Sequence, residues 1–360
     1  MAASGQRWIS DRRRSLVTAV SWCTAEGTAM VARAQRSGAA DAVRRESARA
    51  EQLRRGRPLR RGDVIGLVAP ASPVESGQLE SIVRYLERLG YRVEVSANAH
   101  STYLGYLAGT DTQRLAELHS FFTDPRIAAI FCLRGGFGSM RLLAQLDYRL
   151  IAQHPKVLVG FSDITALQIA LWQRSRLVTI SAPPPGTELI PPDREAWFWQ
   201  LLTSAKPPGA VGEPLQPLSP MPSGGVQGTL LCGTLSLWSA LCGTPFFPKL
   251  EGSILVLEDV GEAAYRLDRM MTQLLLAGAF TGVAALVFGE FTLPSSAEQR
   301  LPQPSLQTLL RDFADRVRVP CLFGLPYGHV RHHWALPFGI PARLNRQGYL
   351  VLEEAAVHPG

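Results

Sequence analysis

The sequence predicts an α/β protein. A parallel sheet with helices on both faces is followed by a second, smaller mixed α/β domain. Three observations predict this. Apolar runs of buried-strand type alternate with stretches of helical period over residues 61–182, and strands alternating with helices imply a parallel sheet. A proline-rich stretch over 183–224 then interrupts the pattern, and a second set of apolar runs follows over 225–356. Finally, 46% hydrophobic and 19% charged residues in a chain of 360 describe a globular protein long enough to bury a sizeable core.

Order is expected from about Arg61. Asp63-Val64-Ile65-Gly66-Leu67-Val68-Ala69 reads as a buried strand, closed by Pro70 and Pro73. Leu79, Ile82, Val83, Tyr85, Leu86 and Leu89 recur at helical spacing, and Gly90 ends that helix. A strand over 91–95, a helix over 112–122 and a buried strand over 127–133 come next. Arg134-Gly135-Gly136-Phe137-Gly138-Ser139 is a glycine-rich turn between a strand and a helix, and the run Lys156 to Gly160, Phe161-Ser162 and the helical pattern after it repeat that form. Ligands collect at the carboxyl ends of strands in open parallel sheets, so both turns belong on one rim. One helix, over 193–203, interrupts the proline-rich connector. The second domain is expected to hold a strand at 253–257, a helix at 265–277, a strand at 283–288 and short strands near 342–344 and 349–351.

The net charge of +7 is unevenly placed. Residues 1–61 hold 14 of the 37 basic and 5 of the 30 acidic residues, which leaves 23 basic and 25 acidic residues on the remainder. The main body is therefore slightly acidic, and no nucleic-acid partner is expected for it. Residues 1–60 read as a basic, disordered extension or the result of an early start codon, with only a faint likeness to a secretory leader. The most apolar stretch, 274–288, is too short and too broken by Gly278, Thr281 and Gly282 to span a membrane, so no membrane partner is expected. Cysteines at 23, 132, 232, 242 and 321 are odd in number and lack C-x-x-C spacing, which fits buried thiols in a reducing, cytoplasmic setting rather than disulfides or a zinc knuckle.

Gly160-Phe161-Ser162-Asp163 places a serine hydroxyl on a sharp strand-to-helix turn, where a nucleophile is held open to substrate. The competing reading makes Ser162 or Asp163 a helix N-cap. A nucleophilic serine needs a base and an acid that orients the base. His329, in the loop Leu325-Pro326-Tyr327-Gly328-His329, is the favoured histidine, with His332 and His333 close by. Glu258 and Asp259, after the apolar run 253–257, are the acidic candidates, and spacing does not choose between them. The Gly135-Gly136-Phe137-Gly138 turn suits either an oxyanion or a phosphate. A non-catalytic nucleotide or phosphate binder is thus the alternative of a different class. No H-E-x-x-H motif appears, and neither metal nor cofactor is expected.

Six blocks in order resemble the LD-carboxypeptidase family of serine peptidases, which includes muropeptide LD-carboxypeptidases and microcin C immunity peptidases. They are Val68-Ala69-Pro70-Ala71-Ser72, Tyr106-Leu107-Ala108-Gly109-Thr110 with Arg114, Leu133-Arg134-Gly135-Gly136-Phe137-Gly138, Gly160-Phe161-Ser162-Asp163, Leu255 to Glu262, and Gly328-His329. The resemblance implies Ser162 as nucleophile, Glu258 as acid and His329 as base. It implies an N-terminal domain of class I glutamine amidotransferase or flavodoxin-like type carrying the serine, and a C-terminal domain carrying the acid and base. It also implies a homodimer, and a murein tetrapeptide substrate that loses a terminal D-amino acid from an L-centre. Within the family, a peptidyl or aminoacyl nucleotide is the other expected substrate. Backbone N–H groups near Gly135, Gly136 and Asp163 are expected to hold the oxyanion, and Arg134 and Arg141 the substrate carboxylate. Ser181, Thr234 and Tyr327 depart from residues the family often carries, and these departures are expected to line the cleft.

Overall fold

The computed structural model describes residues 52–187, 190–294 and 304–358. The first sheet has the order β12-β5-β4-β3-β1-β2, built from β1 (Val64–Val68), β2 (Arg92–Val95), β3 (Ile127–Cys132), β4 (Val157–Gly160), β5 (Thr179–Ser181) and β12 (Leu336–Phe338). The first five of these are parallel. Only β12, which arrives from near the C-terminus, runs antiparallel, against β5. Strands buried on both faces need covering on both, and the apolar runs of β1, β3 and β4 are buried throughout. Phe131 on one face meets Phe198 and Trp199 of α5 (Pro192–Thr203). Gly66, one residue out of phase with the partner of Phe131, faces α2 (Asp111–Thr123), where any Cβ would lie 2.4 Å from the Phe121 ring. The expected helices on both faces are present.

Between these strands lie α1 (Ser76–Arg88), α3 (Tyr148–Gln153) and α4 (Thr165–Ser175). Helix α2 starts on a capping box: Thr110 accepts the Gln113 N–H, and Gln113 reaches back to the Thr110 N–H. The glycine-rich turn leads not into a full helix but into one 3-10 turn, Ser139–Leu142.

The second sheet has eight strands in the order β6-β14-β13-β8-β9-β10-β11-β7. Its parallel centre is β8 (Val226–Thr234), β9 (Ser253–Val260), β10 (Ala285–Thr292) and β11 (Cys321–Phe323). Antiparallel β13 (Pro341–Leu344) and β14 (Leu350–Leu352) extend it on one side. The edges β6 (Gly209–Val211) and β7 (Gln216–Pro217) come from the proline-rich segment. That segment is therefore structural, and the second sheet is the larger of the two. Pro217 sits in an edge strand, where its missing N–H costs no ladder bond. Helices α6 (Leu235–Leu241), α7 (Ala264–Leu276) and α8 (Leu306–Val317) complete the region. Strand β8 escapes the sequence reading because Gly228 and Gly233 interrupt its apolar period. Gly228 is required there, since a Cβ would come within 2.5 Å of the Gly252 carbonyl oxygen just before β9.

The expected extension over 1–60 is too long. Residues 52–60 pack on the body: the Arg54 N–H donates to the Arg176 carbonyl, the Leu59 N–H to Leu202, and the His358 N–H returns to Gly56. Residues 1–51, which carry the remainder of that expectation, lie outside the described residues. Among the described residues no helix is long and apolar enough to cross a membrane. The described cysteines are free thiols, with Cys132, Cys232 and Cys321 buried.

Candidate active site

Ser162 lies one residue beyond β4, after Phe161, and begins a short 3-10 turn, Ser162–Ile164, that runs into α4. Its φ is +62°, a left-handed value that costs an L-residue about 1–2 kcal/mol. The strand before it and the buried helix after it hold it there. Ser162 is not a cap. Phe161 occupies the N-cap position of the 3-10 turn and Ile164 that of α4, and neither helix start has a side-chain cap bond. The Asp163 carboxylate turns elsewhere, accepting the Ser139 N–H at 2.8 Å, while its carbonyl accepts the Ser139 hydroxyl at 2.6 Å. Burial raises the Asp163 pKa despite those bonds.

The glycine turn closes on this elbow. A Cβ at Gly135 would lie 2.7 Å from Ser162 Cβ and 3.0 Å from the Asp163 nitrogen, so only glycine permits the approach. The Ser72 hydroxyl accepts the Phe137 N–H at 3.1 Å and would collide with any Cβ at Gly136. The N–H groups of Gly136 and Asp163 take no protein acceptor among the described residues. Both turns line one cavity of about 350 Å³, together with Arg134, Pro183, Pro184 and His329.

The candidate acid and base come from the second sheet and the loop that follows its strand β11. Glu258, near the end of β9, is 0% exposed. His329 lies in the loop after β11, its side chain 20% exposed. Its Nδ1 lies 2.8 Å from Glu258 Oε2, which leaves Nε2 as the ring nitrogen not engaged with the acid. The Phe161 ring packs against the His329 imidazole with centroids 4.7 Å apart, so the residue before Ser162 touches the histidine directly.

The structure thereby separates candidates that spacing left open. Asp259 is directed to the start of α6, where it accepts the Ser236 N–H at 2.7 Å; burial pushes its pKa up to about 6. His333 is fully buried, with Nδ1 2.9 Å from the Gly328 carbonyl oxygen, and supports the loop below His329. His332 is exposed. Among the described residues no cluster of His, Cys, Asp or Glu could hold a metal ion.

Arg134 lines the cavity, with one guanidinium N–H donated to the Pro73 carbonyl at 3.1 Å. Arg141 is not among the residues lining it. Its guanidinium is engaged with both oxygens of Asp111, which also pairs with the buried Arg114. Ser181, Thr234 and Tyr327 do not line the cavity either. They are buried behind it: the Ser181 and Tyr327 hydroxyls lie 2.6 Å apart, and the Thr234 hydroxyl donates to Glu258 Oε1 at 2.6 Å. The sequence reading missed the support given by Ser72 and Phe161, although both lie beside residues it singled out.

The model for the LD-carboxypeptidase N-terminal domain matches residues 65–182, and that for the C-terminal domain matches residues 227–344. A probable murein peptide carboxypeptidase of Bacillus subtilis is 36% identical over 84% of this chain and 95% of that protein. The chain belongs to the LD-carboxypeptidase family. A murein tetrapeptide carboxypeptidase of Pseudomonas aeruginosa is similar as well, 35% identical over 78% of this chain and 92% of that one. Among solved structures, the muramoyltetrapeptide carboxypeptidase of Oxalobacter formigenes superposes with a TM-score of 0.70 at 29% identity, covering 80% of this chain and 97% of that one. This LD-carboxypeptidase family member is thus a carboxypeptidase-type hydrolase with the family's two-part α/β fold.

Proposed function

We propose that this protein is a serine LD-carboxypeptidase that removes the terminal D-amino acid from murein tetrapeptides. The observation that carries this reading is the Glu258–His329 bond presented to the same cavity as Ser162. His329 Nε2 takes the Ser162 hydroxyl proton as Oγ attacks the carbonyl of the last peptide bond. Glu258 fixes the tautomer through Nδ1 and stabilises the imidazolium. The N–H groups of Gly136 and Asp163 receive the oxyanion, each donor being worth about 3 kcal/mol in the transition state. His329 then protonates the departing amine, the C–N bond breaks, and the acyl group stays on Ser162. Water, deprotonated by His329, releases the shortened peptide and restores the hydroxyl. Arg134, on the cavity wall, is placed to receive the free carboxylate of the leaving residue. Peptides released from the wall and recovered in the cytoplasm are the substrates of this reading, since they expose that carboxylate.

The test is product identification. The parent protein is incubated with a murein tetrapeptide, with its analogue ending in an L-residue, and with an aminoacyl sulfamoyl nucleotide. Mass spectrometry is expected to show loss of the terminal D-residue from the first alone, and none with Ser162→Ala. Turnover of the nucleotide conjugate alone would assign the site to the family's other substrate class. Binding of nucleotide without turnover of any amide would overturn the hydrolase.

A further inference from the structure

Glu258 has two oxygens and no exposure to solvent, and His329 satisfies one of them. A buried carboxylate with an unpaired oxygen is costly, so the second needs a donor. Thr234, the last residue of β8, supplies it through the 2.6 Å bond from its hydroxyl to Oε1. Thr234 is itself anchored across the sheets. Its N–H donates to the hydroxyl of Thr165 at 3.3 Å, and Thr165 begins α4 three residues after Ser162. The close approach depends on Gly233, at φ +143°, where a Cβ would lie 2.3 Å from Thr165 Cγ2. One line of contacts therefore runs from the helix that follows the Ser162 turn, through its first residue Thr165 and through Thr234, to Glu258 and His329.

We infer that Thr234 is the positioning residue of this site: its hydroxyl fixes the ionised Glu258 carboxylate, and its backbone ties that carboxylate to the segment bearing Ser162. This rests on the serine-hydrolase reading above. The other titratable groups packed around the dyad are Asp259, Cys232 and Tyr327 near Glu258, Glu290 of β10, whose Cβ lies beside Gly328 as Glu258 Oε2 does, and His333 next to His329. Burial keeps the Cys232 thiol and the Tyr327 phenol protonated. The Asp259 bonds to the N–H groups of Ser236 and Val260 do not involve the Thr234 side chain. Losing the Thr234 hydroxyl leaves the Glu258 charge less well compensated, so the dyad takes up a proton more readily and the form with neutral His329 is lost at higher pH.

The experiment compares the parent, Thr234→Val and Thr234→Ser over the pH range of peptide turnover, with thermal unfolding of each. Valine keeps the shape and deletes the hydroxyl; serine restores it. We expect Thr234→Val to lose roughly 10- to 100-fold in kcat, the worth of one hydrogen bond to a charged group, with KM little changed. Its acid limb of kcat/KM should move to higher pH, and Thr234→Ser should recover both. A folded Thr234→Val with an unmoved acid limb and parental kcat overturns the inference, as does a Thr234→Ser variant that folds but recovers neither quantity. A parent that does not turn over, or a Ser162→Ala variant that does, overturns the underlying reading instead.

Discussion

The Phe161 ring rests on the His329 imidazole, centroid to centroid 4.7 Å, and this contact joins two parts of the chain that belong to different sheets. Phe161 ends the β4 side of the serine elbow, and His329 follows β11. The same ring also meets Tyr327 and His333 edge-on. A single buried aromatic side chain thus packs the Ser162 segment against His329 and the loop that carries it.

Glu258→Gln keeps the volume of the acid but gives the imidazole a partner that no longer enforces the needed tautomer. The expected loss in kcat is about 10³–10⁴-fold, with a native thermal transition. Asp259→Asn, one residue on, should leave kcat within a few-fold of the parent, because Asp259 serves the start of α6. Steady-state kinetics of the two variants together check the assignment of the acid.

Ser162 stands at φ +62°, where glycine is unstrained and alanine is not. Ser162→Gly and Ser162→Ala should both be inactive. Ser162→Gly should be the more stable by about 1 kcal/mol. Urea unfolding of the two dead variants reads this directly, and equal midpoints would contradict the strained elbow.

Gly135 admits no side chain, since its Cβ would fall 2.7 Å from Ser162 Cβ. Gly135→Ala should displace the serine and cost roughly 100-fold in kcat/KM, the order expected for about 1 Å of misplacement. Slower labelling by a serine-directed probe should accompany that loss.

Burial lowers the His333 pKa from 6.5 to about 4 and so keeps its ring neutral. The unfolded chain binds a proton at this residue below about pH 6.5. The native state does not until about pH 4, so its contribution to stability is complete above pH 6.5 and falls away as the pH drops through that window. The loss amounts to about 3 kcal/mol at ~1.4 kcal/mol per unit. Chemical unfolding of the parent and of His333→Gln at pH 7 and pH 4.5 should show a smaller acid penalty in the variant.

Much of the first sheet is legible in the sequence because its strands are short apolar runs, with Gly90 and the 133–139 turn marking where elements end. Strands interrupted by glycine or set among prolines are not legible. β8 contains Gly228 and Gly233, and β6 and β7 lie among prolines, so none of the three shows the period of a strand. Their identity comes from partners far away in the chain, such as the Thr229–Ser253 pairing, which no local pattern encodes. The serine elbow was readable from strand, glycine and helix in succession. The pairing of Glu258 rather than Asp259 with His329 was not readable from spacing, because adjacent strand residues point to opposite faces and the sheet alone decides which face meets the histidine. The departures at Ser181, Thr234 and Tyr327 looked like cleft-lining changes. Their partners lie 146 positions apart in one case and 24 in the other, and only the assembled fold turns them inward.

In the proposed mechanism His329 makes the Ser162 oxygen nucleophilic across the two sheets. The most direct measurement is intact-mass analysis after exposure to a fluorophosphonate, followed by peptide mapping. One adduct is expected, on Ser162, absent in Ser162→Ala and formed far more slowly in His329→Ala. Labelling that persists in Ser162→Ala, or an unlabelled parent that still releases the terminal residue from peptide, would contradict it.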